Sequence, residues 1–279
     1  MTQTERKIRV GVMPFPEHTD VHELRRAWAE ADELGVDTVF VSDHFFPMNP
    51  GPPGDNRTHE CMVLLTAMAH TIQQAEIGTF VVGNSYRNPN LLADMFRTVD
   101  LLAGGRTILG IGTGNHQPDY DEYGYPFGTL GDRTRALAEN LPIIKGRLAL
   151  VDPQPPRNIP ILIGGMGEKR MLGIIAEHAD IWHAYVWEGD THAEAIEMLR
   201  RKQSVLEDRC ATVGRDSSEI ERCVDTTGMV GDLDLDELLD AGFTFLQVYL
   251  PPPFDFGRVR EVVQWRDRLN AQRGALGRA

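Results

Sequence analysis

The sequence predicts a closed (β/α)8 barrel, a TIM barrel, and three observations predict it. Short runs rich in β-branched residues alternate eight times with amphipathic stretches along the 279 residues. Those runs are too apolar to keep one face in water, which suits parallel strands covered by helices. The first run leads into Met13-Pro14-Phe15-Pro16-Glu17-His18, which is not the glycine-rich phosphate turn that an open, doubly wound sheet places there. No break in hydrophobicity interrupts the alternation, and about 250 residues is the size of one barrel, so residues 1–279 read as a single domain.

The eight strands are expected at Lys7–Met13, Thr38–Asp43, Glu76–Val82, Thr107–Gly112, Pro160–Ile163, Asp180–Val186, Glu221–Met229 and Phe243–Leu250. Between them run helical stripes at intervals of three and four. Val21, Leu24, Trp28, Ala31 and Leu34 form the first; Met62, Leu65, Ala69 and Ile72 the second; Leu92, Met95, Phe96, Val99 and Leu102 the third. Leu130, Leu137, Leu141 and Ile144 form the fourth, and Val259, Val262, Trp265 and Leu269 the last; helices five and seven are short. Asp20 with Glu23, Thr191 with Glu194 and Asp234 with Glu237 fit capping boxes. Asn88-Pro89 reads as an N-cap followed by Pro at the first helical position, and Gly35 stands where a helix wants a left-handed cap. Two long loops, Phe45–Thr58 and Gly114–Thr129, follow strands and so belong to the catalytic face, where long loops serve as lids or binding loops. The proline-rich stretch Val151–Asn158 reads as a connector into the fifth strand.

Composition narrows the function. With 42% hydrophobic and 25% charged residues the chain is ordinary globular protein. A formal charge of −13, with Lys and Arg scattered, disfavours nucleic acid and anionic membrane as partners and leaves a small molecule. The three cysteines, Cys61, Cys210 and Cys223, form no CxxC, which points to a reducing cytoplasm. No run is long enough to span a bilayer. His18 and His22, four apart, and His59-Glu60 are read as surface and loop residues, so no metal is expected. A serine hydrolase is excluded by the lack of a Gly-x-Ser-x-Gly elbow.

Four strand ends carry candidate chemistry. Ser42-Asp43-His44 ends the second strand, where a carboxylate and an imidazole can move protons; the alternative is that Asp43 caps a turn and His44 packs on the loop. The run Ile77 to Asn84 ends the third, and Gly83 there suits a bulge or simply a strand turning into a loop. Gly110, Gly112 and Gly114, followed by Asn115 and His116, leave one face of the fourth strand bare; a flat ring could lie on it, or a helix could pack tightly. Gly164, Gly165, Met166 and Gly167 lead from the fifth strand into a helix, a place where exposed N–H groups bind phosphate, with Lys169 and Arg170 nearby.

Taken together, the segments Val41–Pro47, Gly78–Pro89, Ile108–Gly114 with Tyr123–Phe127, and Pro160–Arg170 resemble the bacterial luciferase-like monooxygenase family, from about Lys7 to Leu250. Ser-Asp-His at the second strand is similar to the branch that uses the deazaflavin coenzyme F420, which includes actinobacterial glucose-6-phosphate dehydrogenases. The resemblance implies that Asp43 contacts the deazaflavin ring and that His44 is the catalytic acid/base. It implies that Phe80 and Val81 form a bulge, often with a non-proline cis peptide, behind the ring. It places Asn84, Asn115 and His116 along the cofactor and gives Gly164, Gly165, Met166 and Gly167 its phosphate. Relative to the family the insertions are shortened: a hairpin is missing between Lys145 and Pro160, and Thr226 to Ala241 is compressed. The basic residues that grip a sugar phosphate have no counterpart, and Met48 stands where the glucose-6-phosphate enzymes place an aromatic residue. An apolar carbonyl or alkene therefore fits Phe45, Phe46, Trp182 and Trp187 better.

The expected function is an F420-dependent oxidoreductase that passes hydride to or from a small organic molecule. A luciferase-like monooxygenase using FMN and oxygen is the alternative, and a barrel that binds cofactor without turnover is the third reading. The resemblance also allows a homodimer.

Overall fold

The computed structural model describes residues 6–186, 191–228 and 231–276. The strands are β1 (Arg9–Pro14), β2 (Thr38–Val41), β3 (Glu76–Thr79), β4 (Val82–Gly83), β5 (Thr107–Gly112), β6 (Ile161–Gly164), β7 (Ile181–Ala184), β8 (Glu221–Asp225), β9 (Thr227–Gly228), β10 (Gly231–Asp232) and β11 (Phe245–Leu250). The helices are α1 (Val21–Glu33), α2 (Cys61–Thr71), α3 (Pro89–Leu102), α4 (Gln117–Tyr123), α5 (Leu130–Leu150), α6 (Met171–His178), α7 (His192–Thr212), α8 (Leu235–Asp240) and α9 (Gly257–Leu276).

Eight parallel staves close on themselves. The order runs β3, β2, β1, β11, β8, β7, β6, β5, and β5 returns to β3 through Ile77 opposite Thr107 and Gly78 opposite Ile108. β4 continues the third stave and pairs with β5. Side chains that alternate along each stave divide two cores. Val10, Val12, Val39, Leu109, Ile163 and Trp182 face the helices, and Met13, Phe40, Ile108, Leu162, Ile181 and Phe245 fill the interior. Removing each such side chain from water is worth roughly 1.5–3 kcal/mol.

The helix ends follow the expected chemistry. Asp20, Thr191 and Asp234 each accept the backbone N–H three residues on. Asn88 caps α3 with Pro89 at its start, and Gly35 has φ +74°. A reciprocal capping box that the sequence reading did not identify joins Thr129 and Asp132 at the start of α5. α6 and α8, the fifth and seventh outer helices, are short, with 8 and 6 residues.

Three expectations are corrected. The third strand, expected to be continuous from Glu76 to Val82, is broken at Phe80–Val81 by a cis peptide bond. The loop Gly114–Thr129 contains a helix, α4. The stretch Glu221–Met229 is not one strand: β8 ends at Asp225, and β9 turns away to pair antiparallel with β10, while Met229 lies outside the described residues.

Candidate active site

The chemistry gathers at the C-terminal ends of the staves. Asp43 and His44 follow β2, the Phe80–Val81 bulge joins β3 to β4, Asn115 and His116 follow β5, and Gly164 to Gly167 lead from β6 towards α6. Sequence alone placed these groups at one end, and the barrel brings them there.

His44 is fixed from outside its own segment. Its Nδ1 lies 2.8 Å from Oδ2 of Asp119 in α4. Asp119 is fully buried and accepts three further hydrogen bonds: from the N–H groups of Phe45 (2.9 Å) and Phe46 (3.1 Å), and from the Tyr86 hydroxyl (3.0 Å). Burial pushes the Asp119 carboxyl up, but His44, Phe45 N–H and Tyr86 outweigh it and hold the group below its ordinary value. The carboxylate therefore stays charged, selects the His44 tautomer with hydrogen on Nδ1, and leaves Nε2 for a ligand. The His116 ring meets His44 edge-on at 5.5 Å. Burial, reinforced by His44, lowers the His116 pKa against the pull of Asp119.

Asp43 is 1% exposed, and both of its oxygens are engaged. Oδ2 accepts Gly83 N–H (3.1 Å) and Arg87 Nη1 (2.6 Å), and Oδ1 accepts Arg87 Nη2 (3.0 Å). The bidentate pair braces the end of β2 against the bulge. Oδ1 of Asn84 accepts from Asn140 of α5 at 3.2 Å, and the buried Nδ2 of Asn84 has no partner among the described residues. Asn115 is exposed at the mouth.

Glycines leave the backbone bare around Val81. A Cβ at Gly112 would approach Val81 Cγ2 to 2.8 Å, so no side chain fits there. A Cβ at Gly164 would meet His183 Nδ1 at 3.6 Å and Val81 at 3.9 Å, ordinary van der Waals contact, so a methyl group there would touch both without a clash. Gly165, at φ +145°, turns the chain towards α6, whose N-cap Arg170 provides no side-chain cap. α1, α2, α3, α5, α7 and α8 all have one; at α6 the Gly167 carbonyl takes the Leu172 N–H (3.1 Å) in its place.

Both long loops are anchored. Glu17, 7% exposed, accepts Met48 N–H at 2.6 Å and the Asn49 side chain, and His18 Nε2 meets the Asn49 carbonyl at 2.9 Å. Arg133 donates to the carbonyls of Gly114, Phe127 and Gly128. Phe45 stacks on Tyr123 at 4.2 Å and tilts against Tyr86 at 4.8 Å, giving the mouth an aromatic wall. Trp182, expected on the substrate side, is instead fully buried outside the staves, where it donates to the Gly165 carbonyl at 2.8 Å and packs on Phe243. Trp187 lies outside the described residues.

Sequence reasoning missed Asp119 and Tyr86 on this side, and His183 with Asp225 on the opposite side. The only signal for Asp119 was its place in a long loop on the catalytic face. A separate concavity lined by Arg200, Gln203, Glu207, Arg222 and Gly242 lies at the start of β8 and β11, away from these groups.

A family model described as luciferase-like monooxygenase matches residues 4–275. The F420-dependent glucose-6-phosphate dehydrogenase of Amycolatopsis mediterranei (strain U-32) is 30% identical over 145 residues, which is 50% of this chain and 41% of that protein. Its counterpart in Microbacterium testaceum (strain StLB037) is 28% identical over 190 residues, 61% and 55% of the two chains. The chain thus spans about half the length of the curated relatives it matches. Among solved structures, an F420-dependent secondary alcohol dehydrogenase in complex with an F420-acetone adduct superposes with a TM-score of 0.76 at 15% identity, covering 90% of this chain and 96% of that one. The coenzyme F420-dependent tetrahydromethanopterin reductase from Methanopyrus kandleri gives 0.69 at 16%, covering 89% and 94%. At these identities the superpositions speak for the fold.

Proposed function

The chain belongs to the luciferase-like monooxygenase family, and from that premise we propose that it is an oxidoreductase dependent on coenzyme F420, passing hydride between the deazaflavin and a small organic substrate. The observation that carries the reading is the pairing of His44 with buried Asp119 beside the bare glycine backbone around Val81, the hollow assigned here to the ring. The names of the curated relatives support the choice of deazaflavin.

The residues present fit such a group. Gly112 and Gly164 leave a bare surface on either side of Val81, as a planar ring needs, and the start of α6, which no side chain caps, lies behind Met166 and Gly167 where a phosphate could meet it. When bound, the deazaflavin supplies the hydride chemistry. His44 holds or accepts the substrate proton at Nε2, and Asp119 stabilises the imidazolium that results. Asp43 acts through Arg87 and Gly83 by holding the bulge, and His116 and Asn115 border the mouth. The aromatic wall of Phe45, Tyr86 and Tyr123 excludes water and favours an apolar body on the substrate. Arg87 is committed to Asp43 and Glu60, and Arg133 to loop carbonyls, so neither is spare for a sugar phosphate. A small carbonyl or alkene compound is the proposed substrate class.

The test is titration of the purified protein with F420 and with FMN, followed by fluorescence. Tighter binding of F420 by at least about tenfold is expected. Preference for FMN, with oxygen uptake when the flavin is reduced, would move the protein to the monooxygenase reaction. Binding of either without turnover across alcohols, ketones and enones would leave a cofactor-binding barrel.

A further inference from the structure

The middle of the barrel interior is lined mostly by apolar side chains, with the buried amide of Gln247 among them. Phe40, Ile108, Leu162, Ile181, Cys223 and Phe245 fill its middle. Above them, on β7, β8 and β11, stand His183, Asp225 and Tyr249. His183 Nε2 lies 3.0 Å from Asp225 Oδ1, and the two residues are 7% and 2% exposed. Tyr249 stands beside the same carboxylate; burial, then the Asp225 charge, pushes its pKa well above the usual value, so the hydroxyl keeps its proton. The Phe80 ring lies against the imidazole at 4.2 Å. A buried polar pair of this kind adds little stability over apolar side chains of the same volume, so its presence among mostly apolar neighbours calls for another reason.

Direction supplies one. With Nε2 turned to Asp225, the free nitrogen Nδ1 looks out over Gly164 towards Val81, the hollow that the proposed function gives to the deazaflavin ring. Hydride transfer from a carbinol C–H delivers two electrons and one hydrogen to the acceptor. It leaves the carbinol O–H proton to be removed and adds one negative charge to the acceptor. Two proton positions arise, one on the substrate oxygen and one on the acceptor heterocycle, and a single imidazole cannot touch both. We propose that His183, oriented by Asp225 and Tyr249, is the second proton-holding residue of this site, hydrogen-bonded through Nδ1 to the heterocyclic edge of the bound deazaflavin, while His44 serves the substrate. The inference rests on the proposed function. Among the described residues, the groups facing His183 are Asp225 and Cys223 of β8, Tyr249 of β11 and Tyr185 beyond β7, with Gly164, Val81 and Phe80 from β6 and the bulge.

The test uses the whole protein and binding rather than turnover. Affinity for oxidised and for reduced F420 is measured across about pH 5.5 to 9, around the ordinary histidine range. Wild type should bind the reduced form with a pH inflection. His183→Phe, which keeps the stacking on Phe80, should lose the inflection and weaken reduced-cofactor binding about tenfold, with less than about threefold change for the oxidised form. Asp225→Asn should move the inflection to lower pH, because the imidazolium loses its nearest negative charge. Nitrogen-15 NMR of wild type gives a readout free of variants: F420 should shift the His183 Nδ1 signal. An unmoved signal at saturation, or a pH profile unchanged in His183→Phe, overturns the assignment and leaves the F420 reading standing. Failure of wild type to bind F420 or FMN overturns both. Binding of FMN alone, with the His183 signal shifted, removes the deazaflavin and keeps His183 at the ring edge.

Discussion

At the scale of single residues, the site depends on one buried carboxylate that no local pattern announces. His44 was legible because Ser42-Asp43-His44 ends a strand on the catalytic face. Its partner lies 75 positions on, in a helix that the sequence reading took for loop, and only closure of the barrel brings the two together. Asp43 was legible for the same reason as His44, yet its role was not, because the partner that occupies its oxygens, Arg87, arrives from beyond β4. Two outcomes follow. His44→Ala should bind F420 within about threefold of wild type and lower kcat by on the order of 10²–10⁴, the usual worth of a general acid or base, as measured by cofactor fluorescence and steady-state rates. Asp119→Asn should destabilise the fold by about 1–3 kcal/mol near neutral pH, as a lost charge-assisted network does. The folded-state pKa of Asp119 lies below its unfolded value, so the unfolded chain binds more protons as the pH falls between the two. The stabilisation is thus complete above about pH 4 and is lost as the pH falls through the folded value. Urea midpoints of the two proteins should converge in acid; a constant gap would show that the charge of Asp119 is not what anchors the loop.

At the scale of elements, helices and staves were legible where periodicity and caps agreed, as in α1 with Asp20 and Gly35 or α3 with Asn88-Pro89. The β9–β10 ribbon was not, because two residues per strand are too few to show a period. Gly83 suited either a bulge or a loop, and the position Phe80–Val81 came from family resemblance, since Thr79-Phe80-Val81-Val82 looks like uninterrupted strand. The glycine pattern was legible as bare backbone, and its meaning can now be separated from packing. Gly164→Ala introduces a methyl group with no neighbour nearer than 3.6 Å, so thermal stability should stay within about 1 kcal/mol of wild type. The same methyl group takes up part of the hollow, and cofactor affinity should fall about tenfold. Equal affinity in calorimetric titration would mean that the ring does not lie there. The Phe45–Thr58 loop gives a contrasting case. Glu17→Ala removes the acceptor for Met48 and Asn49, so the loop should become cleavable near Gly51 and Gly54 in limited proteolysis while the barrel stays intact.

At the scale of the whole molecule, the two ends of the barrel carry different burdens, and that division is open to test. The catalytic end holds the two histidine–aspartate pairs, the bare glycines and the loops. The other end is closed by ions: Arg9, at the start of β1, reaches Glu221 of β8 at 2.8 Å, Thr38 of β2 at 2.9 Å, and Glu76 of β3, which also receives Arg157. Four staves are tied through one guanidinium that lies over the Phe245 ring at 4.4 Å. The sequence showed the eight-fold alternation that requires such a closure, but not the residue that performs it, because Arg9 in isolation reads as a charge before a strand. Replacing Arg9 with Met keeps most of the side-chain volume and leaves Glu221, 6% exposed, without its nearest cation. A buried charge stripped of its partner costs about 3–5 kcal/mol, which for a chain of this size lowers the melting temperature by roughly 6–20 °C. The mouth lies at the far ends of the staves, so below the transition Arg9→Met should bind F420 as wild type does, and its pH profile of turnover should be unchanged. Melting curves and cofactor titrations on the same preparation decide the matter: a variant that melts early yet binds normally establishes the division, whereas one that loses affinity in step with stability shows that the barrel responds as a single body from end to end.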